Sequence, residues 1–209
     1  FPWYRANEAS HASSIIFSTD WQRKIFEQAY KLDLKKNRVI ENYCGHREEQ
    51  IEPEERVFVA GTRELKWKNI RVLKESFKKA QEEVIKKGFE NIYFNTSKAV
   101  YDSFQERMHR AYAVILVSLG DISPNMIFDA IRVGTPFILT QENGISERVK
   151  ECAIFVDPTN VKDITDKIVW ISDPKNRAIQ AEKIRKFNWV HTWEDIGKEI
   201  ISTYERDTS

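Results

Sequence analysis

Seven short apolar runs, separated by amphipathic stretches of helical period, constrain this chain more than any other feature. Ser14-Ile-Ile-Phe17, Arg38-Val-Ile40, Arg56-Val-Phe-Val-Ala60, Asn91-Ile-Tyr-Phe94, Ala113-Val-Ile-Leu-Val117, Phe137-Ile-Leu139 and Ala153-Ile-Phe-Val156 read as strands. Runs without alternation, rich in β-branched residues, belong to strands covered on both faces. Between them, helical patterns are expected at about 20–33, 68–87, 98–110, 124–133, 144–151 and 160–172, with two more near 174–187 and 192–205. Strands joined through helices must run parallel, because a hairpin turn cannot connect parallel neighbours. The expected fold class is therefore α/β, a doubly wound parallel sheet.

The 209 residues, 41% of them hydrophobic, suffice for one full domain or one domain plus a fragment. Cys44-Gly-His-Arg-Glu-Glu-Gln-Ile-Glu-Pro53 is polar and charged and makes the best linker. A boundary is accordingly expected near residue 45, leaving room before it for one strand-helix-strand unit, too little for an independent core. Lys and Arg number 33 against 32 Asp and Glu, a formal charge of +1, so nothing points to nucleic acid as a partner. Two cysteines, Cys44 and Cys152, with no CxxC pair and no histidine at zinc spacing, imply neither a disulfide framework nor a structural metal. A reducing, cytoplasmic compartment is expected. No apolar run of about 18 residues marks a transmembrane helix, and no signal-peptide pattern is seen. Because the chain begins with Phe1 rather than Met, it reads as a processed or excised piece. The aromatic start Phe1-Pro2-Trp3-Tyr4-Arg5 suits membrane contact, an absent domain or simple packing, and the last is the plainest.

Chemistry concentrates in Ser118-Leu-Gly-Asp121-Ile-Ser-Pro-Asn125-Met-Ile-Phe-Asp129-Ala-Ile-Arg-Val-Gly134-Thr-Pro136. Ser123 is expected to cap a helix that starts at Pro124, where a missing N–H costs nothing, and ends at Gly134. The free N–H groups of Ser123, Pro124's successor Asn125, and Met126 then form an anion site reinforced by the helix dipole. Asp121 lies in the loop before that helix and Asp129 within it, so both are positioned to face one crevice and accept from sugar hydroxyls. The other reading of the same pair, that both are solvated surface carboxylates, remains open on this stretch alone.

A second basic site follows the Arg56–Ala60 strand, in Gly61-Thr62-Arg63-Glu-Leu-Lys66-Trp67-Lys68, with a helix beginning near Lys68. Ligands bind at the carboxyl ends of strands in open α/β sheets. Arg63 offers a planar fork and Lys68 a mobile point charge, together fit to neutralise a diphosphate, although a solvated basic loop has the same composition. His11, His46, His109 and His191 are dispersed and define no Ser/His/Asp constellation.

Taken in order, these stretches resemble the C-terminal, donor-binding half of a GT-B glycosyltransferase of the large retaining family 4. Asp121-x7-Asp129 is similar to the family's E-x7-E signature with both acids shortened, and Asp129-Ala-Ile-Arg-Val-Gly134-Thr-Pro136 to its Glu-Ala-Met-Ala-x-Gly-x-Pro segment. Arg63 and Lys68 match its Arg-x4-Lys pair, Asn143-Gly144-Ile145-Ser146-Glu147 its Gly-Gly-x-Pro-Glu loop, and Val156-Asp157-Pro158 its Val-Asp-Pro turn. The likeness runs from about residue 12 to 205. It implies a Rossmann-like donor domain over 46–190, residues 1–45 as a remnant of an N-terminal acceptor domain plus connector, and 191–209 as a helix crossing back over that domain.

The resemblance further implies metal-independent, retaining transfer from a nucleotide-diphosphate sugar, with no cofactor. Arg63, Lys68 and Asp121 take the catalytic positions. Asp129 grips the ribose, and Gly61, Thr62, Ser123, Pro124, Asn125, Met126, Asn143 and Gly144 complete the donor site. The acceptor is expected on the missing N-terminal domain. The shortened acids and the lack of a Gly-Phe-Gly loop, Ile122 and Ser123 standing there instead, keep one alternative open: a non-catalytic nucleotide-binding or partner-docking module derived from such a half.

Overall fold

The computed structural model describes residues 11, 12, 14–30, 37–49, 51–61, 65–96 and 101–208, with backbone alone at 101, 102, 207 and 208. Among them, seven strands alternate with helices: β1 (Ile15–Phe17), α1 (Asp20–Tyr30), β2 (Asn37–Val39), β3 (Val57–Ala60), α2 (Ile70–Lys86), β4 (Tyr93–Asn95), α3 (Tyr101–His109), β5 (Ala113–Leu116), α4 (Asn125–Val133), β6 (Phe137–Thr140), α5 (Ser146–Val149), β7 (Ile154–Val156), α6 (Val161–Ile171), α7 (Pro174–Lys186) and α8 (Trp193–Thr208). A single 3₁₀ turn, Lys66–Lys68, precedes α2.

The strands form a five-stranded parallel sheet in the order β4-β3-β5-β6-β7 and a separate parallel pair, β1-β2. The expected doubly wound α/β sheet is what the chain builds. Side chains alternate between its two faces. Phe58, Ala60, Ala113, Ile115 and Ile138 pack under α2 and α6, whereas Val59, Val114, Leu116, Phe137 and Leu139 pack under the α4 side. With both faces covered, nearly every residue of β5 and β6 is buried, which explains why those runs are apolar throughout. Each fully buried Ile or Phe contributes about 1.5–3 kcal/mol.

The connector after β2 is packed rather than loose. Cys44 makes an antiparallel bridge with His191, and Glu48 N–H donates to Arg132 O at 2.8 Å. Asn42 Nδ2 donates to Asn125 Oδ1 at 2.7 Å. The connector therefore follows α4 along its length, pairing residues 42 and 48 with Asn125 and Arg132.

Three of the boundaries that differ from those expected lie beside the carboxyl ends of the strands. The helix after β5 begins at Asn125 with Pro124 as its N-cap at φ −77° and ψ 92°, so Ser123 is not the cap. A proline's fixed φ serves the cap as well as the first helical position, and no side-chain cap bond discriminates between the two registers here. The helix expected to begin near Lys68 instead begins at Ile70, because Asn69 turns into the left-handed region at φ 57°. The segment 144–151 yields only the four helical residues Ser146–Val149. Gly134 ends α4 as expected, at φ 78°, its N–H donating to the Ala130 and Ile131 carbonyls.

Candidate functional site

β3 is flanked by β4 on one side and β5 on the other, so the connections leave it in opposite directions. Ligand crevices form outside the carboxyl ends of strands at such a switch point. A cleft of about 480 Å³ lies there, lined by Gly61, Lys68, Phe104, Leu116, Asp121, Ser123, Pro124, Asn125, Met126 and Asp129. Eight of those residues are ones the sequence singled out. Thr62 and Arg63 fall outside the described residues.

Backbone geometry puts Lys68 there. Asn69, the one non-glycine residue with positive φ among the described residues, sends its Nδ2 to Val117 O at 3.2 Å and Pro158 O at 2.6 Å. Leu119 N–H donates to Trp67 O at 2.7 Å. These bonds fasten the 3₁₀ turn to the loops after β5 and β7. Lys68 Nζ then donates to Asp121 Oδ2 at 2.5 Å, with the two side chains 20% and 15% exposed.

The Asp121 loop is itself pinned to the loop after β6. Asp121 N–H donates to Glu142 O at 3.0 Å, and Gly144 N–H to Asp121 O at 2.9 Å. Asn143 supports this pinning from below: it is buried, with Nδ2 bonded to Thr140 O and Oδ1 accepting from Ile145 N–H at 2.9 Å. A Cβ on Gly144 would overlap Ile122 O and Thr19 Oγ1, so only glycine allows the approach. Neither Asn143 nor Gly144 lines the cleft; both hold the loop that does.

The N-terminal turn of α4, Asn125 and Met126, forms another wall. Such a turn carries N–H groups with no intrahelical acceptor and the positive end of the helix dipole. Ser123 Oγ is buried beside it with no hydrogen-bond partner among the described residues. Asp129 follows one turn later, bonded to Arg132 Nη2 at 3.3 Å. Burial pushes its carboxyl above the ordinary aspartate value, against the pull of Gln105 and Arg132. Among the described residues, no group of three His, Cys, Asp or Glu is arranged to hold a metal ion.

Reasoning from sequence missed Asn69, Thr19, Gln105, Phe104 and Arg132. Three carried a local signal: Asn69 because asparagine is enriched in left-handed backbone and stands just before a helical pattern, Arg132 because it follows Asp129 at i+3 on one helix, and Thr19 because it stands just before a helix and accepts from Gln22 N–H. Gln105 and Phe104 act across distances in sequence that no periodicity reveals.

No family model and no curated protein matches this sequence. Solved structures do. Sucrose-phosphate synthase from Thermosynechococcus elongatus superposes with a TM-score of 0.70 at 14% identity, over 97% of this chain and 60% of its own. Anabaena HepE, solved with UDP and glucose, gives 0.71 at 17% identity, over 98% and 67%. A UDP-forming α,α-trehalose-phosphate synthase from Burkholderia xenovorans gives 0.73 at 9% identity, over 100% and 65%. The chain thus spans 60–67% of the length of these proteins. It has the Rossmann-like fold of one half of a GT-B glycosyltransferase. No helix among the described residues is long and apolar enough to cross a membrane.

Proposed function

We propose that this chain is the donor-binding part of a glycosyltransferase, holding a nucleotide-diphosphate sugar in the cleft at the β3–β5 switch point. The observation that carries this reading is the convergence of Lys68, Asp121, Asp129 and the first turn of α4 on one cleft. In this arrangement the diphosphate occupies the α4 N-terminus, where N–H groups and Lys68 supply positive charge, joined by Arg63 from the sequence. The same groups stabilise the charge that accumulates on the diphosphate as the glycosidic bond breaks. Asp129 accepts from ribose hydroxyls, and Asp121 borders the sugar ring.

Two of the solved structures carry or form UDP by name, which makes UDP-sugars the first donors to try. Retention of anomeric configuration and independence of metal follow from the family resemblance and are part of the proposal. The acceptor is assigned to residues beyond this chain, whose length falls short of its structural neighbours. A cytoplasmic location, expected from a sequence with two cysteines and no CxxC pair, is part of the proposal.

A second reading, a module that binds nucleotide without catalysis, is favoured by one observation: Lys68 is already neutralised by Asp121. Calorimetric titration of UDP, with and without glucose, into the wild type and into Lys68→Met decides whether the cleft is a nucleotide site. Weakening by roughly tenfold or more in the variant is expected for loss of a charge-assisted contact. Equal binding by both proteins removes Lys68 from the site.

A further inference from the structure

Asp129 borders two cavities, the cleft above and a neighbouring one of about 510 Å³ between the connector, α4 and α8. An aspartate is one methylene shorter than glutamate, so where it sits decides what it reaches. Its carboxylate is gripped from behind. Arg132, one turn further along α4 and 11% exposed, donates from Nη2 to Asp129 Oδ1 at 3.3 Å and, from the same nitrogen, to Gln105 Oε1. Its Nη1 donates to Glu48 Oε1 on the connector, whose N–H returns to Arg132 O at 2.8 Å. The other Glu48 oxygen, Oε2, lies 2.9 Å from His109 Nε2 on α3. Two carboxylates and one amide, from α4, the connector and α3, thus converge on a single guanidinium, and the His109 imidazole holds the Glu48 carboxylate from its other side.

A guanidinium presents its donors in a rigid planar fork, so holding one edge fixes the direction of the others. We infer that Arg132 is the positioning residue for Asp129, and that Glu48 aims Arg132, so the connector sets the carboxylate that the ligand meets. The inference rests on the reading of the cleft as a nucleotide site only for the identity of the ligand. The charged and titratable groups facing Asp129 are Arg132 on its own helix, Glu48, Cys44 and Glu41 from the connector, and Lys68 and Asp121 across the cleft; His109 acts through Glu48, and Glu41 is paired with Arg148. Of these, Arg132 is the cation bonded to it.

The test follows the Asp129 carboxyl carbon by NMR through a pH titration, and in parallel measures UDP affinity between pH 5 and 8, in wild type, Arg132→Met, Arg132→Lys and Glu48→Gln. Losing an adjacent cation raises a carboxylate's titration by about one unit or more, so Arg132→Met is expected to move Asp129 up by that amount. UDP binding should then weaken by roughly tenfold at the acidic end of the range, recovering in part as pH rises. Arg132→Lys restores the charge without the fork, so it returns the titration towards wild type and the affinity less so. Glu48→Gln changes a half-exposed side chain, so it keeps the test open even if Arg132→Met loses its fold, and is expected to weaken UDP binding by a few-fold through a misaimed Arg132. An unmoved Asp129 titration in Arg132→Met, or unchanged UDP affinity in Glu48→Gln, overturns the inference. If wild type fails to bind UDP at all, the nucleotide reading falls, and the NMR titration still decides the role of Arg132.

Discussion

Lys68 Nζ lies 2.5 Å from Asp121 Oδ2, so the cation and the first acid of the cleft neutralise one another. Any diphosphate that recruits Lys68 competes with Asp121 for its charge. A hydrogen bond to a charged group has a net worth of about 1.5–3 kcal/mol, so the competition is measurable. Asp121→Asn is expected to tighten UDP binding by roughly three- to tenfold, and Lys68→Met to weaken it. Calorimetry at fixed ionic strength checks both. If the two substitutions act in the same direction, the ion pair does not compete with the ligand.

Asp129 carries a pH signature of its own. Burial holds its carboxyl above 3.8, so the native chain binds this proton more tightly than the unfolded chain. The group's contribution to stability is complete below pH 3.8 and is lost as pH rises through the raised native value. The stability of wild type relative to Asp129→Asn should therefore decline as pH rises from 3.8 through the raised native value, then level off. Urea unfolding midpoints across that range check it, and a difference that rises with pH contradicts it.

Cys44 and Cys152 are expected to be inert thiols. Burial pushes Cys44 up to about 11 and Cys152 up to about 12. Since the thiolate is the reactive form, neither should react with an aromatic disulfide reagent at pH 8 in the native state, and both should react after denaturation. Unfolding should also become easier as pH rises above 9, where the unfolded thiols ionise first.

Gly144→Ala tests the seam between the N-terminal segment and the cleft. The added methyl meets a backbone oxygen, Ile122 O, as well as the buried Thr19 hydroxyl, and Thr19 Oγ1 already accepts from Gln22 N–H at 3.1 Å. A backbone atom has little room to yield, so a loss of about 1–3 kcal/mol is expected in urea unfolding. Because Gly144 N–H also holds Asp121 O, UDP affinity should fall together with stability.

The central sheet was legible because its physics is local. Val114, Ile115 and Ile138 sit in strands buried on both faces, and that burial writes an unbroken apolar run into the sequence. The meeting of Lys68 with Asp121 was legible at one remove, through the rule that strand ends share a crevice. The end of α4 was read correctly at Gly134, where a positive φ favours glycine. Its start slipped by one residue, since Pro124 tolerates either position. Arg132 escaped notice because its partner Glu48 lies in the segment taken for a linker. Nothing in either stretch announces the other, for the pairing exists only once α4 has docked beside the connector.

Asn69 spends its side chain on Val117 O and Pro158 O, and its backbone on a left-handed turn. Lys68 is thereby delivered to the cleft by the residue after it, not by its own side-chain preferences. Were positions 66–69 randomised and nucleotide binders recovered, the survivors should vary freely at 66 and converge at 69. The code for this cation's location is written one letter downstream of the cation.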